Sequence, residues 1–197
     1  MTSLGEGLID PGCIHGPNVI VTTETAPPSR WTAFRFLVGF AVISIGGIAA
    51  LLIEPIDTGL IQPFSHILAS ASAAVINLFG GDAAAQGAIL SLVKAGGGVE
   101  IANGCNAIEA SILLAAAILA FPARPGRRLI GAAVGIALLQ IVNLLRIISL
   151  LYLNRYAPSW FDFFHLYLWD ALIMLDGLLI FLVWHRWQDR PRAVAAA

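Results

Sequence analysis

The chain has 197 residues, 58% of them hydrophobic and only 12% charged, with a formal net charge of −1 and a mean hydropathy of +0.84. A soluble globular domain carries about 25% charged residues, so half that share, with apolar blocks of membrane-spanning length, excludes an ordinary soluble domain and predicts an all-α integral membrane protein. No basic patch marks a nucleic-acid partner, and the two cysteines, Cys13 and Cys105, form neither a CxxC pair nor a Cys/His zinc spacing, so no metal or cofactor is expected.

Residues 1–30 are rich in Gly, Pro and Thr without periodicity and read as a disordered cytoplasmic tail. Cys13, in "DPGCIHG", has no apolar run before it, which argues against a lipoprotein or signal-peptide cysteine. Cys13 and His15 are two metal-ligand types in a floppy segment, too few for a site. The membrane domain is expected over residues 31–188, followed by a short disordered tail, 189–197. Its first apolar block runs from Phe34 to Ile53. The stretch from Ile61 to Phe79 is amphipathic. Ile61, Phe64, Ile67, Leu68, Ala71, Val75 and Leu78 share one face, which Gln62, Ser65, Ser72 and Asn77 avoid. It reads as a helix lying on or dipping into the outer leaflet, with a fifth span as the alternative. From Gly80 to Gly104, "AILSLV" and "VEIAN" flank "KAGGG", which suggests a small extracytoplasmic β-hairpin, or else an irregular loop.

Three further blocks follow, Cys105–Phe121, Leu129–Leu153 and Leu166–Trp184. Arginines cluster before the first block (Arg30, Arg35), between the second and third (Arg124, Arg127, Arg128) and after the last (Arg186, Arg190, Arg192). With all three clusters cytoplasmic, the positive-inside rule gives four spans with both termini inside. The expected architecture is a polytopic helical bundle of four spans plus one amphipathic or re-entrant helix.

The spans serve as rulers at 1.5 Å per residue. Cys105 lies 16 residues before Phe121, or ~24 Å; Arg146 lies 17 after Leu129, or ~26 Å; His165 lies 19 before Trp184, or ~28 Å. A thiol, a guanidinium and an imidazole from three helices thus meet near the outer boundary of a layer ~30 Å thick. Each has a bland reading: a small buried hydrophobe, a snorkelling cation, an interfacial ring. Against these, Cys105 stands in the polar "NGCNAIE", and Arg146 is charged inside "QIVNLLRIISL", at a cost of at least ~2.5 kcal/mol unless it pairs, with Glu109 or Asp170 as the available acids. The chemistry this trio supports is nucleophilic. A cation near Cys105 lowers its pKa, His165 shuttles the proton, and Arg146 holds an oxyanion, with Asn106 and Asn143 as further donors. Glu109, four residues after Cys105, is placed on the same helical face to orient Arg146. A helix N-terminus at Cys105 would further favour thiolate.

"GCNAIEASILLAAAILAFPA", "RRLIGAAVGIALLQIVNLLRIISL" and "FDFFH" together resemble the exosortase/archaeosortase family, in its bacterial exosortase H type, over residues 36–187. The resemblance implies a polytopic cysteine transpeptidase of the bacterial inner membrane with its site at the outer face. Its substrates would be membrane-anchored proteins with a C-terminal sorting signal of the PEP-CTERM kind, cleaved through a thioester and passed to an acceptor the sequence does not identify. The family nucleophile matches Cys105, its arginine Arg146 and its third residue His165. Many relatives have Gly two positions after the cysteine, where this chain has Ala107; Ala favours helix, so the span is expected to start tightly at the nucleophile. A quinone-linked thiol oxidoreductase lacks its second cysteine, a serine intramembrane protease lacks a GxSG-like element, and a CAAX-type metalloprotease lacks clustered Glu and His. The non-enzymatic alternative is a small transporter or assembly factor.

Overall fold

A computed structural model describes residues 30–188. The tail before them, with Cys13 and His15, and the tail after them, with Arg190 and Arg192, lie outside the described residues. Helix α1 spans Arg30–Ala50, α2 spans Glu54–Leu78, α3 spans Ile108–Ala120, α4 spans Pro125–Tyr156 and α5 spans Pro158–Gln188. Strands β1 (Ala83–Gln86), β2 (Ile89–Leu92) and β3 (Gly98–Glu100) lie between α2 and α3 and form one antiparallel sheet in sequence order. The expected hairpin is therefore present as β2–β3, with Leu90 opposite Val99, and β1 extends it as an unanticipated third strand.

Among the described residues four helices, α1, α2, α4 and α5, are long and apolar enough to cross a membrane, and the protein is a polytopic helical bundle with multi-pass topology. The membership of that four differs from the sequence expectation. Helix α3 has 13 residues, only ~20 Å, because the chain before Ile108 is held in turns. Helix α4, by contrast, runs 32 residues, ~48 Å, and projects well beyond a hydrocarbon layer. Residues 154–164, between the last two apolar blocks, are almost entirely helical. Ala157 alone breaks the path (φ −146°, ψ 60°), a non-helical conformation, as the following Pro158 disfavours the helical one.

Two cores result. The bundle core joins α3, α4 and α5 through Leu114, Ile118, Leu139, Ile173 and Trp184. Helix α1 lies along α3 where Gly39 faces Ala120 and a Cβ on Gly47 would come 2.6 Å from Ile112, so small residues set the close approach. The second core joins α2, the sheet and the far end of α4, through Leu68, Ala69, Ile76, Leu90, Ile101, Ile147 and Leu151. It sits at the end of the bundle where Cys105 lies.

The buried face of α2 overlaps the apolar face read from the sequence only in part: Ile61 and Leu68 are buried and Phe64, Ala71 and Val75 half-buried, but two of its members are not covered. Ser65, Leu68, Ala69, Ser72, Ala73 and Ile76 are buried, while Ile67 and Leu78 are exposed. Ser65, Ala69, Ser72 and Ala73 turn inward beside Ile61, Leu68 and Ile76, and such small residues allow the close approach typical of helices packed in a membrane.

Candidate active site

The segment before α3 is a chain of turns. Gly104 adopts φ +89°, the Cys105 N–H donates to the Ala102 carbonyl at 3.0 Å, and Ala107 takes the left-handed conformation at φ 55°, ψ 25°. The helix therefore starts three residues after the thiol, not at it. The backbone of Ala107 is one that glycine suits; an L-residue there is strained by about 1–2 kcal/mol. Because Cys105 precedes the helix, the four-residue spacing to Glu109 does not place the two on one helical face.

Asn106 locks this turn. It is 1% exposed; its Oδ1 accepts from the Ile108 N–H at 3.1 Å, its Nδ2 reaches Ser65 Oγ at 3.4 Å, and its carbonyl accepts from Gln140 Nε2 at 3.2 Å. Gln140 also donates to Ser111 Oγ at 3.3 Å. The side-chain amide of Asn106 is thus committed to the fold and not turned to a reacting group. Gln140, which the sequence reading passed over, ties the cysteine turn to α4. The available signal was an uncharged polar residue one turn before Asn143 within an apolar span. Asn143 is fully buried, donates to Gln140 Oε1 at 3.3 Å and leaves its Oδ1 without a partner among the described residues.

Helix α5 brings the imidazole. A π-helical turn, Phe164–Leu168, carries His165; such turns add a residue within a helix and re-aim the side chains around it. Phe161 stacks on the His165 ring at 5.3 Å. The Cys105 Sγ and His165 Nε2 lie 3.1 Å apart, within hydrogen-bonding distance. Five residues on, Asp170 accepts from Arg146 Nη2 at 2.7 Å. Of the two acids available to Arg146, the structure selects Asp170; Glu109 makes no ion pair with it. Arg146 is 2% exposed against 57% for the Asp170 side chain, and its Nε–H is buried with no partner among the described residues.

Cys105 lies in a turn outside the helical spans. Burial pushes its thiol above the ordinary range; the Arg146 charge pulls down against this, and Asp170 and Glu109 push up again. The lowering expected from a nearby cation is present but outweighed by desolvation. A cavity of about 300 Å³ opens beside Cys105 and His165, bounded by β3, by Ile147, Leu150 and Asn154 of α4, and by Phe161. β3 is an edge strand, and on the cavity wall its Gly98 carbonyl accepts from Asn154 Nδ2 at 3.0 Å.

No curated protein and no solved structure matches the chain. The family model described as "Transmembrane exosortase (Exosortase_EpsH)" matches residues 27–184. That match covers most of the chain, including both cores and the turn that carries Cys105, and with the multi-pass fold it places the protein in the inner membrane in a role tied to protein sorting signals. The chain belongs to the transmembrane exosortase family.

Proposed function

We propose that the protein is a membrane-embedded cysteine transpeptidase that cleaves C-terminal sorting signals of exported proteins. The observation that carries this reading is the 3.1 Å approach of Cys105 Sγ to His165 Nε2. With the thiol pushed up by burial, the nucleophile is generated in the reaction rather than stored as thiolate. His165 takes the Sγ proton as sulfur bonds to the scissile carbonyl carbon. The carbonyl oxygen becomes an oxyanion, which the Arg146 cation, held in place by Asp170 and already felt at Cys105, stabilises through its charge. Collapse breaks the C–N bond, and the leaving amine departs with the proton from His165. The acceptor nucleophile, an amine or water, then gives its proton to His165 while attacking the thioester, and the thiol is restored. The cavity along β3 suits an extended peptide added beside the edge strand.

The test is processing of a tagged substrate bearing a sorting signal. Cys105→Ala and Cys105→Ser should both leave it full length while the variant stays in the membrane at parental level. Processing that continues in Cys105→Ala overturns the mechanism and favours the transporter or assembly role. Arg146→Lys should also fail, because an ammonium lacks the planar fork of donors. The charge rule puts the site at the outer face, so an impermeant thiol reagent on intact cells should label Cys105 and not Cys13.

A further inference from the structure

At the opposite end of the bundle a second cavity, about 860 Å³, opens between α1, the α3–α4 connection and the end of α5. Gln188, on its rim, lies 23 residues beyond His165 along α5, or ~35 Å. Four arginines line it, Arg35, Arg124, Arg127 and Arg128, and no acidic residue does. The positive-inside rule accounts for arginines at this end of the bundle. It does not account for their convergence on one concave space, where like charges repel.

Their donors are only partly used. Arg127 Nη1 donates to Gln188 Oε1 at 3.3 Å, and its guanidinium lies 5.5 Å from the Trp187 ring centre. Arg128 Nη1 donates to the Leu119 carbonyl at 2.8 Å, closing the end of α3. Neither uses all five guanidinium donors. Arg35 and Arg124 have no hydrogen-bond or ionic partner among the described residues, and Gln188 Nε2 is buried without an acceptor. Such a lining repels a cationic segment and calls for an anion with several acceptor oxygens, which is the chemistry of a phosphate.

Two features distinguish a lipid phosphate from a free one. Trp31 and Trp187 are exposed at this level, the position of an aromatic girdle in the headgroup layer. Moreover, an apolar groove of about 200 Å³ runs along the same three helices toward the bundle centre, lined by Phe40, Ala117, Gly177 and Phe181 among others. Phe40 is one turn from Phe36, and Ala117 one turn from Phe121, both of which line the basic cavity. A headgroup pocket with a separate apolar groove one helical turn away matches one phospholipid.

We propose that this end of the protein binds an anionic phospholipid of the cytoplasmic leaflet, its phosphate held by Arg35, Arg124, Arg127 and Arg128 and an acyl chain lying in the groove past Gly177. The site is independent of the Cys105 chemistry. It is tested on the purified full-length protein in detergent by native mass spectrometry, with phosphatidylglycerol, phosphatidylcholine and inorganic phosphate as probes. Phosphatidylglycerol should be retained over phosphatidylcholine, and the R35Q/R124Q double variant should lose affinity roughly tenfold or more, since each arginine near a lipid phosphate is worth about a factor of five. Gly177→Leu adds bulk where a Cβ meets nothing within 4 Å; it should weaken lipid retention without lowering the lipid-free melting temperature. Equal retention of the two lipids by the parent protein overturns the site, whether or not the double variant folds. Displacement of phosphatidylglycerol by equimolar inorganic phosphate, with Gly177→Leu without effect, assigns the cavity to a free anion and overturns the lipid assignment.

Discussion

The two helices that supply the candidate site from its far side are built differently. Over its most apolar stretch α4 is 39% buried, whereas α5 is 6% buried. Arg146 is therefore surrounded by protein, while His165 and Asp170 ride on a helix that mostly faces outward. Helix α5 joins the bundle core through Ile173 and Trp184, and polar contacts add to that hold: Asp170 on Arg146, His165 on Cys105, and Trp184 Nε1 donating to the Arg127 carbonyl at 3.3 Å. The contrast separates two duties. The buried helix stores a charge that cannot relax, and the outward-facing helix supplies His165 and Asp170 from the turns before its core anchors, Ile173 and Trp184.

The sharpest way to break that contrast is to remove one member of the Arg146–Asp170 pair at a time. Asp170→Ala strands a buried guanidinium and should destabilise by about 3–5 kcal/mol. Arg146→Met leaves a half-exposed carboxylate that can be solvated, and should cost clearly less. Thermal unfolding of the two variants in one detergent checks the asymmetry; equal losses would mean that the two helices are equally buried. Next in size is Gly131→Val. A Cβ at Gly131 would overlap the Trp184 indole, so α5 must shift, at a cost of about 1–3 kcal/mol read from the melting temperature.

Smaller effects sharpen the picture at the thiol. Because burial raises the Cys105 pKa, less thiolate is present at neutral pH than in a free cysteine. Alkylation should therefore accelerate with pH to a midpoint above that of a free cysteine. Arg146→Met removes the opposing cation and should move the midpoint higher still; a midpoint below the free value would mean a stored thiolate. Least of all, Ala107→Gly relieves a left-handed alanine and should stabilise by about 1 kcal/mol, because the gain exceeds the extra chain entropy of glycine. A loss on this change would place the strain elsewhere.

Much of this was legible before any coordinates. Hydropathy marked the helical blocks, because backbone groups in lipid must be satisfied within a helix. The β2–β3 hairpin followed from β-branched residues around glycines, whereas β1, "AAAQ", carries no strand signature and forms only because β2 and α2 hold it; the Asn77 side chain brackets the Ala83 backbone at 2.8–2.9 Å. The rise per residue brought Cys105 and His165 to one level without saying that they would touch. That needed the π turn at Phe164–Leu168, which no residue pattern announces.

Depth along a helix is a one-dimensional quantity, and the order of residues determines it alone: a thiol, an arginine and a histidine near one boundary, and arginines gathered at the other. Which way each side chain points is decided by how the helices rotate against one another. Packing set the inward face of α2, the selection of Asp170 over Glu109 as the partner of Arg146, and the commitment of Asn106 to its own turn. Rotation costs a single helix almost nothing in isolation, so its sequence leaves that angle free until neighbouring surfaces close around it.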